Sequence, residues 1–488
     1  MNGDSISVLV AASEAAPLAS TGGLAEVAGS LPLALRDAGC RTAVVLPAYR
    51  TVLEGQTGWE TVARDVFVPV GPVNLTAEIL MGELAPDVPA FLVRRDEFFD
   101  RSELYGGGQG DYFDNPERFI FFSRAVAAMG DRIRFVPDVI LANDWQTGLI
   151  MPLLALGALP RTAGVFSIHN MGYLGLVPRE RTENIGLPPR FYGMDGLEYY
   201  GLMSLLKAGI VFAQALTTVS PTYAREVQTP EGGQGLDGLM RAVSDRLHGI
   251  LNGVDYRVWN PALDRCLAAR YTPEDPAGKA ACKKSLLESM GLTGGADKPL
   301  LGLVTRLTAQ KGLGLLSEAA PELMKLDVNL VVLGTGEVMH EEMMTRLKQA
   351  WPDRVGLTMA FDPVLAHRVI AGADMLLMPS LYEPCGLTQL YGLKYGAVPV
   401  VRATGGLNDT VKDPSEGGPP GTGFKFNRFH PGALVRAVRR AVEVYQNREA
   451  WRAMMLAGMA EDYSWDRSAR EYVRVFEKAL ASRRGGWL

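Results

Sequence analysis

The chain has 488 residues, of which 47% are hydrophobic and 21% are charged, and its formal net charge is −5 at pH 7. A chain of this length exceeds what one hydrophobic core supports, so we expect a globular protein of two domains. The interleaved, slightly acidic charge argues against nucleic acid as a partner and predicts that an anionic ligand is bound in a local positive pocket.

The sequence gives little sign of a targeting signal, a membrane span or paired cysteines. The N-terminal segment has no basic leader, and Glu14 soon interrupts its apolar run, so we expect no signal peptide. No stretch approaches the roughly 20 apolar residues of a membrane span, which predicts a cytoplasmic protein without a membrane partner. The four cysteines, Cys40, Cys266, Cys282 and Cys385, lie far apart, so neither a disulfide framework nor a zinc site is predicted.

Strand and helix patterns alternate in the first half of the chain. The predicted strands are residues 5–11, 42–46, 138–142, 163–168, 215–219 and 248–251, and the predicted helices include 25–38, 117–129 and 202–213. This alternation favours a parallel sheet covered by helices on both faces. The first half therefore predicts one doubly wound domain.

A second series of strands follows the turn-rich segment near residues 253–262. It comprises residues 300–305, 329–333, 356–359, 375–378 and 398–401. We predict domains at residues 1–255 and 256–465, both of the α/β class. The amphipathic pattern at 468–480 predicts a C-terminal helix, within 466–488, that packs back on the first domain.

Ligands of parallel sheets bind beyond the carboxyl ends of the strands, which directs attention to the loops there. The first loop, ASTGGLAEVAGSLP at 19–32, places Gly22 and Gly23 at a helix start. Their amides could bind an anion, but the loop matches neither GxxxxGK[ST] nor GxGxxG. The pattern alone leaves a tight turn and an anion site as alternatives.

Three further loops follow strands of the second half. RLTAQKG at 306–312 carries Arg306 and Lys311 five residues apart, which suits two cations converging on a diphosphate, with a solvated charge pair as the alternative. SLYEPCGLTQLYGLKYG at 380–396 offers a carboxylate followed by a row of backbone amides. ATGGLNDTV at 403–411 is a second glycine pair that opens a helix.

Together the segments STGGLAEVAGSLP, YFDNPERF, NDWQTGL, SIHNMGY, GILNGVD, VTRLTAQKGL, EPCGLTQLYGLKYG, TGGLNDTV and YSWDRSAREY resemble the bacterial glycogen synthase and plant starch synthase family. The match is collinear and spans nearly the whole chain. The resemblance implies a GT-B fold, two doubly wound Rossmann-like domains facing across a cleft, with the acceptor side in the first domain and the nucleotide sugar in the second.

The same resemblance implies the reaction of glycogen biosynthesis. Glucose passes from a nucleotide sugar, usually ADP-glucose in bacteria, to the non-reducing end of an α-1,4-glucan with retained anomeric configuration. The substrates are thus a nucleotide sugar and an α-glucan, no metal or other cofactor is expected, and the enzyme is expected to be a monomer or homo-oligomer. The sequence leaves ADP against UDP open.

Four residues match the family's catalytic positions. Arg306 and Lys311 match the cations that hold the donor diphosphate and stabilise charge on the leaving group. Glu383 matches the glutamate at the transferred sugar. His169, at the end of VFSIH, matches the histidine near the glucose 6-hydroxyl and the reacting bond, although a lone histidine at a strand end is often structural.

Further residues match binding positions for the donor or the sugar. The set is Gly22, Gly23, Glu26, Asp144, Asn252, Phe361, Cys385, Gly386, Leu387 and Thr388. Phe361 matches an aromatic that stacks on the nucleotide base, with a core aromatic as the alternative. Asp144 and Asn252 could instead be caps or turn formers, and Cys385 need not react.

The chain departs from the family pattern in its first half. Ser20 stands in the position of a lysine, Asn143 and Gln146 replace histidines that flank Asp-Trp, and Glu26 replaces an aspartate. Two alternatives therefore remain beside a glycogen synthase: a sister transferase with another nucleotide sugar or acceptor, and a non-catalytic glucan-binding homologue. The presence of all four matched catalytic residues favours an active transferase.

Overall fold

The computed structural model describes residues 5–107, 110–130, 132–292, 295, 297–418 and 420–484. The chain divides into unit 1, Met1–Gly253 with Trp465–Leu488, and unit 2, Val254–Ser464. These divisions fall within two residues of the predicted domain ends at 255 and 465.

Unit 1 is built on a large sheet. Its strands are β1 (Ser7–Ala11), β2 (Arg41–Pro47), β3 (Glu60–Val70), β4 (Val73–Ala85), β5 (Val88–Arg94), β6 (Gly106–Gly107), β7 (Gly110–Asp111), β8 (Val139–Asn143), β9 (Ala163–Ile168), β10 (Leu176–Val177), β11 (Glu198–Tyr199), β12 (Leu202–Ser204), β13 (Ala215–Thr218) and β14 (Leu247–Gly249). The main sheet has the order β14-β13-β9-β8-β1-β2-β5-β4-β3. Neighbouring strands from β14 to β5 pair in parallel.

The helices of unit 1 connect these parallel strands. Before the crossover to unit 2 they are α1 (Gly23–Asp37), α2 (Arg50–Gly55), α3 (Asp96–Phe99), α4 (Asn115–Ala128), α5 (Ile150–Ala155), α6 (Leu205–Phe212), α7 (Pro221–Glu226) and α8 (Asp237–Ala242). All five residues of β1 are buried, as expected for a central strand with helices on both faces.

The predicted helix at 202–213 begins three residues late. Residues Leu202–Ser204 form β12, and the hydroxyl of Ser204 accepts a hydrogen bond from the amide of Lys207 at 3.1 Å. Serine at this position satisfies an amide of the first turn and so fixes the start of α6 at Leu205.

The sheet of unit 1 is mixed, which differs from the purely parallel arrangement predicted. β4 runs antiparallel to both β3 and β5. The pairing of β3 with β4 shifts register between Thr61 and Val66, and Asp65 there has φ 52, so the alternation of polar and apolar residues that announces a strand is interrupted. This interruption explains why the strand pattern of the hairpin is weak.

Unit 2 carries a smaller parallel sheet. Its strands are β15 (Leu300–Val304), β16 (Asn329–Leu333), β17 (Val355–Thr358), β18 (Met375–Met378), β19 (Val398–Arg402) and β20 (Phe424–Phe426), in the order β17-β16-β15-β18-β19-β20. Its helices are α9 (Ala277–Ser289), α10 (Leu313–Leu323), α11 (Val338–Ala350), α12 (Pro363–Gly372), α13 (Thr388–Lys394), α14 (Gly405–Thr410), α15 (Pro414–Gly417), α16 (Pro431–Gln446) and α17 (Arg448–Met459).

Buried side chains of β15, β16 and β18 pack with α10 and α16 in the main core of unit 2. In chain order its strands read 3-2-1-4-5-6, the Rossmann arrangement. The parallel strands of unit 1 follow the same order around β1. The predicted fold class, two doubly wound α/β domains, is therefore confirmed.

The last helix, α18 (Trp465–Arg484), belongs to unit 1. It packs on α1 and on strands β9 and β13, and the hydroxyl of Ser468 donates to the carbonyl of Leu251 at 2.6 Å. Among the helices in the described part of the chain, none has the length and apolar character that crossing a bilayer demands.

Candidate active site

The strand order of each unit defines one position where ligands are expected. In a doubly wound sheet this is the switch point, where successive connections leave to opposite sides. It lies between β15 and β18 in unit 2 and between β1 and β8 in unit 1. The predicted site residues follow these strands or other strands of the same two sheets.

The switch point of unit 2 holds a small cavity that opens to solvent. Its lining comes from the ends of β15 and β18 and from the loops beyond them: Leu303, Val304, Thr305, Lys311, Leu377, Met378, Pro379, Ser380, Glu383, Gly386, Leu387 and Thr388. Five of the predicted site residues thus line one cavity.

A largely buried ion pair contributes to the lining of this cavity. The Nζ of Lys311 is 2.6 Å from Oε2 of Glu383, which also accepts a hydrogen bond from the hydroxyl of Ser380 at 2.9 Å. Glu383 is only 5% exposed. Both contacts use Oε2, so Oε1 has no hydrogen-bond partner among the described residues and can accept one from a ligand hydroxyl.

Close backbone packing fixes the loop that carries Lys311. Gly312 has φ +71, and a Cβ there would lie 2.1 Å from the carbonyl oxygen of Pro379. The amide of Leu381 donates to the carbonyl of Gln310 at 2.8 Å. Only glycine permits this approach, and it brings the two loops that supply Lys311 and Glu383 together.

The second glycine pair, Gly405 and Gly406 in ATGGLNDTV, packs closely against the backbone of the loop that carries Glu383. A Cβ on Gly405 would lie 2.0 Å from the carbonyl oxygen of Glu383, and one on Gly406 would lie 2.1 Å from that of Cys385. The amide of Gly406 donates to the carbonyl of Glu383 at 3.2 Å. This glycine pair therefore supports the site by close contact.

The row of amides predicted after Glu383 is present. The backbone N–H groups of Gly386, Leu387 and Thr388 have no acceptor among the described residues, and all three residues line the cavity. The buried Nε2 of Gln389 donates to the carbonyls of Cys385 at 3.0 Å and Gly386 at 2.9 Å. Gln389 thereby satisfies both carbonyls of this loop. Cys385 itself is buried, and its thiol is not part of the lining.

Two exposed residues complete the predicted donor side. Arg306 follows β15, is exposed, and makes no side-chain hydrogen bond or ion pair with the described residues. Phe361, between β17 and α12, is 84% exposed, which excludes the alternative of a core aromatic. Both side chains are available to a ligand at this edge of unit 2.

In unit 1 the glycine pair Gly22-Gly23 follows β1 and opens α1. The amides of Gly22 and Gly23 have no acceptor among the described residues. The buried carboxylate of Glu14 accepts hydrogen bonds from the amide of Thr21 at 2.5 Å and from its hydroxyl at 2.9 Å. Ser20 is exposed beside this turn. The turn is therefore fixed while its last two amides stay free.

His169 lies just beyond β9 and is 9% exposed. Its Nε2 is 2.9 Å from Oδ1 of Asn143, the last residue of β8. Its backbone amide donates to Oδ1 of Asp144 at 2.7 Å. Asp144 itself has φ 57, a conformation that non-glycine residues rarely adopt and that is enriched at functional sites. The structure thus brings His169 and Asp144 together.

Burial shifts the ionisation of both side chains. It lowers the pKa of His169 to about 4, so the imidazole is neutral at neutral pH. Burial raises the pKa of Asp144 to about 7, against hydrogen bonds from the amides of His169 and Asn170, and the charge of Glu14 raises it further.

Three further polar residues of unit 1 were singled out by the sequence. Asn252 is buried, and its Oδ1 has no partner among the described residues. Glu26 is half-buried in the first turn of α1. Gln146 is buried, with an Oε1 that likewise lacks a partner in the described part of the chain.

One cluster in the described residues has the composition of a metal site: Asp264, Cys266 and His367 place ligand atoms within 4.8 Å of one another. Oδ2 of Asp264 already bonds to Nδ1 of His367 and to the hydroxyl of Tyr395, each at 2.7 Å. The ring of Trp259 stacks on that of His367 at 3.9 Å. Because these atoms satisfy one another, we interpret the cluster as a packed structural network.

Sequence reasoning missed several residues that build the site. Ser380 and Gln389 stand inside a motif that was recognised, yet only the contacts reveal their partners. The sequence presents Glu14 only as an interruption of an apolar run, and Asn143 only as a departure from the family. An acidic residue just after the first strand, at a predicted switch point, is the signal that could have singled out Glu14.

Known protein families match both units of the chain. The family described as "Starch synthase catalytic domain" matches residues 7–242, and "Glycosyl transferases group 1" matches residues 293–454. The chain is 48% identical to a glycogen synthase of Desulfatibacillum aliphaticivorans over 480 residues, covering 98% of this chain and 99% of that one. It is 44% identical to a glycogen synthase of Syntrophotalea carbinolica, with coverage of 97% and 99%.

A similar structure has also been solved. The catalytic domain of Starch Synthase IV from Arabidopsis thaliana, bound to ADP and acarbose, superposes with a TM-score of 0.90 at 31% identity, covering 98% of this chain and 100% of that one.

Proposed function

Because the chain belongs to the family of bacterial glycogen synthases and plant starch synthases, we propose that it transfers glucose from ADP-glucose to the non-reducing end of an α-1,4-glucan with retained configuration. The observation that carries this proposal is the cavity of unit 2. It combines the Lys311–Glu383 pair with the free amides of Gly386, Leu387 and Thr388.

The cavity has the chemistry needed for a sugar diphosphate. Free backbone amides and the Nζ of Lys311 donate hydrogen bonds to phosphate oxygens, and the exposed guanidinium of Arg306 adds a second cation without first breaking an ion pair. Oε1 of Glu383 accepts from a glucose hydroxyl. Phe361 offers an exposed ring on which the nucleotide base stacks.

Transfer then requires little from the protein beyond positioning and charge. The 4-hydroxyl oxygen of the acceptor forms a bond to C1 of glucose as the bond from C1 to the phosphate oxygen breaks, and the leaving phosphate takes the acceptor's proton. Arg306 and Lys311 stabilise the charge that grows on the diphosphate, an effect that is often the largest rate term. We assign His169 to the glucose 6-hydroxyl, and we expect no metal ion or other cofactor in the reaction.

The choice of ADP-glucose draws support from the similar starch synthase structure, which holds ADP. The test is a donor screen of the purified protein that measures nucleotide release from ADP-glucose and UDP-glucose, with glycogen, maltooligosaccharides or no acceptor. We expect release from ADP-glucose that depends on the glucan and persists in a metal chelator. Transfer from UDP-glucose alone, or to a small sugar alone, would instead identify a sister transferase.

An inert protein that still binds glycogen would support the non-catalytic alternative. The matched control is Arg306→Ala, which removes an exposed cation without disturbing the described contacts. Release that survives this substitution unchanged would come from a contaminating activity or from a different mechanism.

A further inference from the structure

Asn143 makes three contacts that together fix the orientation of its amide. Its Nδ2 lies 3.0 Å from the carbonyl oxygen of Ala11 and 3.1 Å from that of Leu141. Carbonyl oxygens only accept hydrogen bonds. The atom between them must therefore be the NH₂ group, and this assignment follows from chemistry even though the two ends of an amide look alike.

The orientation of Asn143 decides which nitrogen of His169 carries hydrogen. With Nδ2 bound to the two carbonyls, Oδ1 is the atom that meets Nε2 of His169 at 2.9 Å. Since Oδ1 can only accept, Nε2 must donate and so bears the hydrogen. Burial lowers the pKa of the ring to about 4, so the ring holds a single hydrogen at neutral pH.

The other ring nitrogen is then left as an acceptor. Nδ1 of His169 has no hydrogen-bond partner among the described residues. A nitrogen with a free lone pair accepts from an O–H group, and it cannot bind a carboxylate or a fluorine, which have no hydrogen to donate.

We propose that Asn143 is a positioning residue that holds His169 in the Nε2–H tautomer, so that Nδ1 selects a sugar bearing a hydroxyl at the position it meets. This inference deepens the proposed function and rests on it for the identity of that hydroxyl, the 6-hydroxyl of glucose. The tautomer itself follows from the contacts alone.

The first experiment determines the tautomer without using activity. The chain has five histidines, so the full-length protein labelled with ¹⁵N-histidine gives few imidazole signals, and His169→Gln identifies those of residue 169. We expect a protonated Nε2 and an unprotonated Nδ1 at neutral pH. Asn143→Leu, which cannot accept, is expected to give a mixture of tautomers. Gln146→Met, at a buried amide that makes no hydrogen bond to His169, is the matched control and is expected to leave the tautomer unchanged.

The second experiment measures selectivity. ADP-glucose and its 6-deoxy-6-fluoro analogue are compared as donors, and we expect the protein to prefer the hydroxyl by about 3- to 10-fold in kcat/KM, the scale of one hydrogen bond. In Asn143→Leu the preference is expected to shrink while KM for glycogen is unchanged.

The outcomes separate the two proposals. A hydrogen on Nδ1, or a tautomer that Asn143→Leu does not alter, overturns the inference about Asn143. The expected tautomer in a protein that transfers no glucose overturns the proposed function instead. Equal loss of both donors in Asn143→Leu, with the tautomer unchanged, would mean that Asn143 acts only in folding.

Discussion

The ion pair of Lys311 and Glu383 makes these two residues poor subjects for single substitutions. The pair is 2.6 Å long, and the two side chains are 17% and 7% exposed. Removing one member of a buried pair leaves a charge without its partner and costs about 3–5 kcal/mol, whereas neutralising both members can be close to neutral. Lys311→Met is therefore expected to destabilise the protein, and Lys311→Met with Glu383→Gln is expected to regain most of that stability.

The size of the effect can be expressed as a melting temperature. For a unit of about 150–250 residues, 1 kcal/mol shifts Tm by about 2–4 °C, so a loss of about 3–5 kcal/mol should lower Tm of unit 2 in Lys311→Met by roughly 6–20 °C. The double variant should return to within about 3 °C of the original protein. Both variants should be nearly inactive, because each lacks a cation at the diphosphate.

Arg306→Ala is the matched control, because this side chain has no partner among the described residues. It should lower kcat on the order of a hundredfold and shift Tm by only about 1–2 °C. Thermal unfolding and steady-state kinetics of the four proteins complete the comparison. A Lys311→Met protein as stable as the original, or a double variant less stable than Lys311→Met, would show that the two side chains do not form a buried pair.

Three further expectations concern single positions. Ser20→Lys adds a cation at the position where the resemblance to the family implies a lysine. It should raise kcat/KM for the donor by about 2- to 30-fold, the difference between a charge-assisted and a neutral hydrogen bond. Lower glucose transfer by the variant would mean that this turn binds another ligand. Gln389→Met removes the donor to the carbonyls of Cys385 and Gly386. It should raise KM for ADP-glucose by about tenfold and leave KM for glycogen unchanged. An equal rise in both KM values would contradict a role confined to the loop that carries the free amides. Burial raises the pKa of Asp144 from 3.8 to about 7, so the original protein should lose stability relative to Asp144→Asn as pH rises from about 4 to 7. The lowered pKa of His169 has the opposite effect on stability, but both proteins retain His169 and the effect cancels. Parallel curves of Tm against pH for the two proteins would refute the raised pKa of Asp144.

Sequence patterns predicted many of the strands that are buried on both faces, although the buried strand β5 was missed. The bounds of β9, β16 and β18 match the prediction residue for residue, because a short, continuous apolar run between turn residues is typical of a buried strand in an α/β chain. The β3–β4 hairpin was missed, since its strands have one exposed face and an interrupted alternation.

For the site, the sequence located loops but not contacts. It predicted Lys311 and Glu383 from separate motifs, yet their direct contact depends on the register of β15 beside β18. The pairing of Asn143 with Ser167 across β8 and β9 places the Asn143 amide beside His169, and no local pattern carries this information. Distances between loops arise from the packing of the sheet, which a motif does not contain.

The contact of Gly405 and Gly406 with the carbonyls of Glu383 and Cys385 has a consequence for engineering. A binding loop whose backbone packs tightly on another segment of the chain cannot be exchanged without that segment. A chimaera that imports residues 380–396 from another transferase should also import residues 403–411. Otherwise the new loop packs against a glycine pair whose backbone fits the original loop. The two segments therefore need to be inherited together for a given donor specificity. A recombination point between residues 396 and 403 separates loops that fit each other, whereas a point before 380 or after 411 keeps them together.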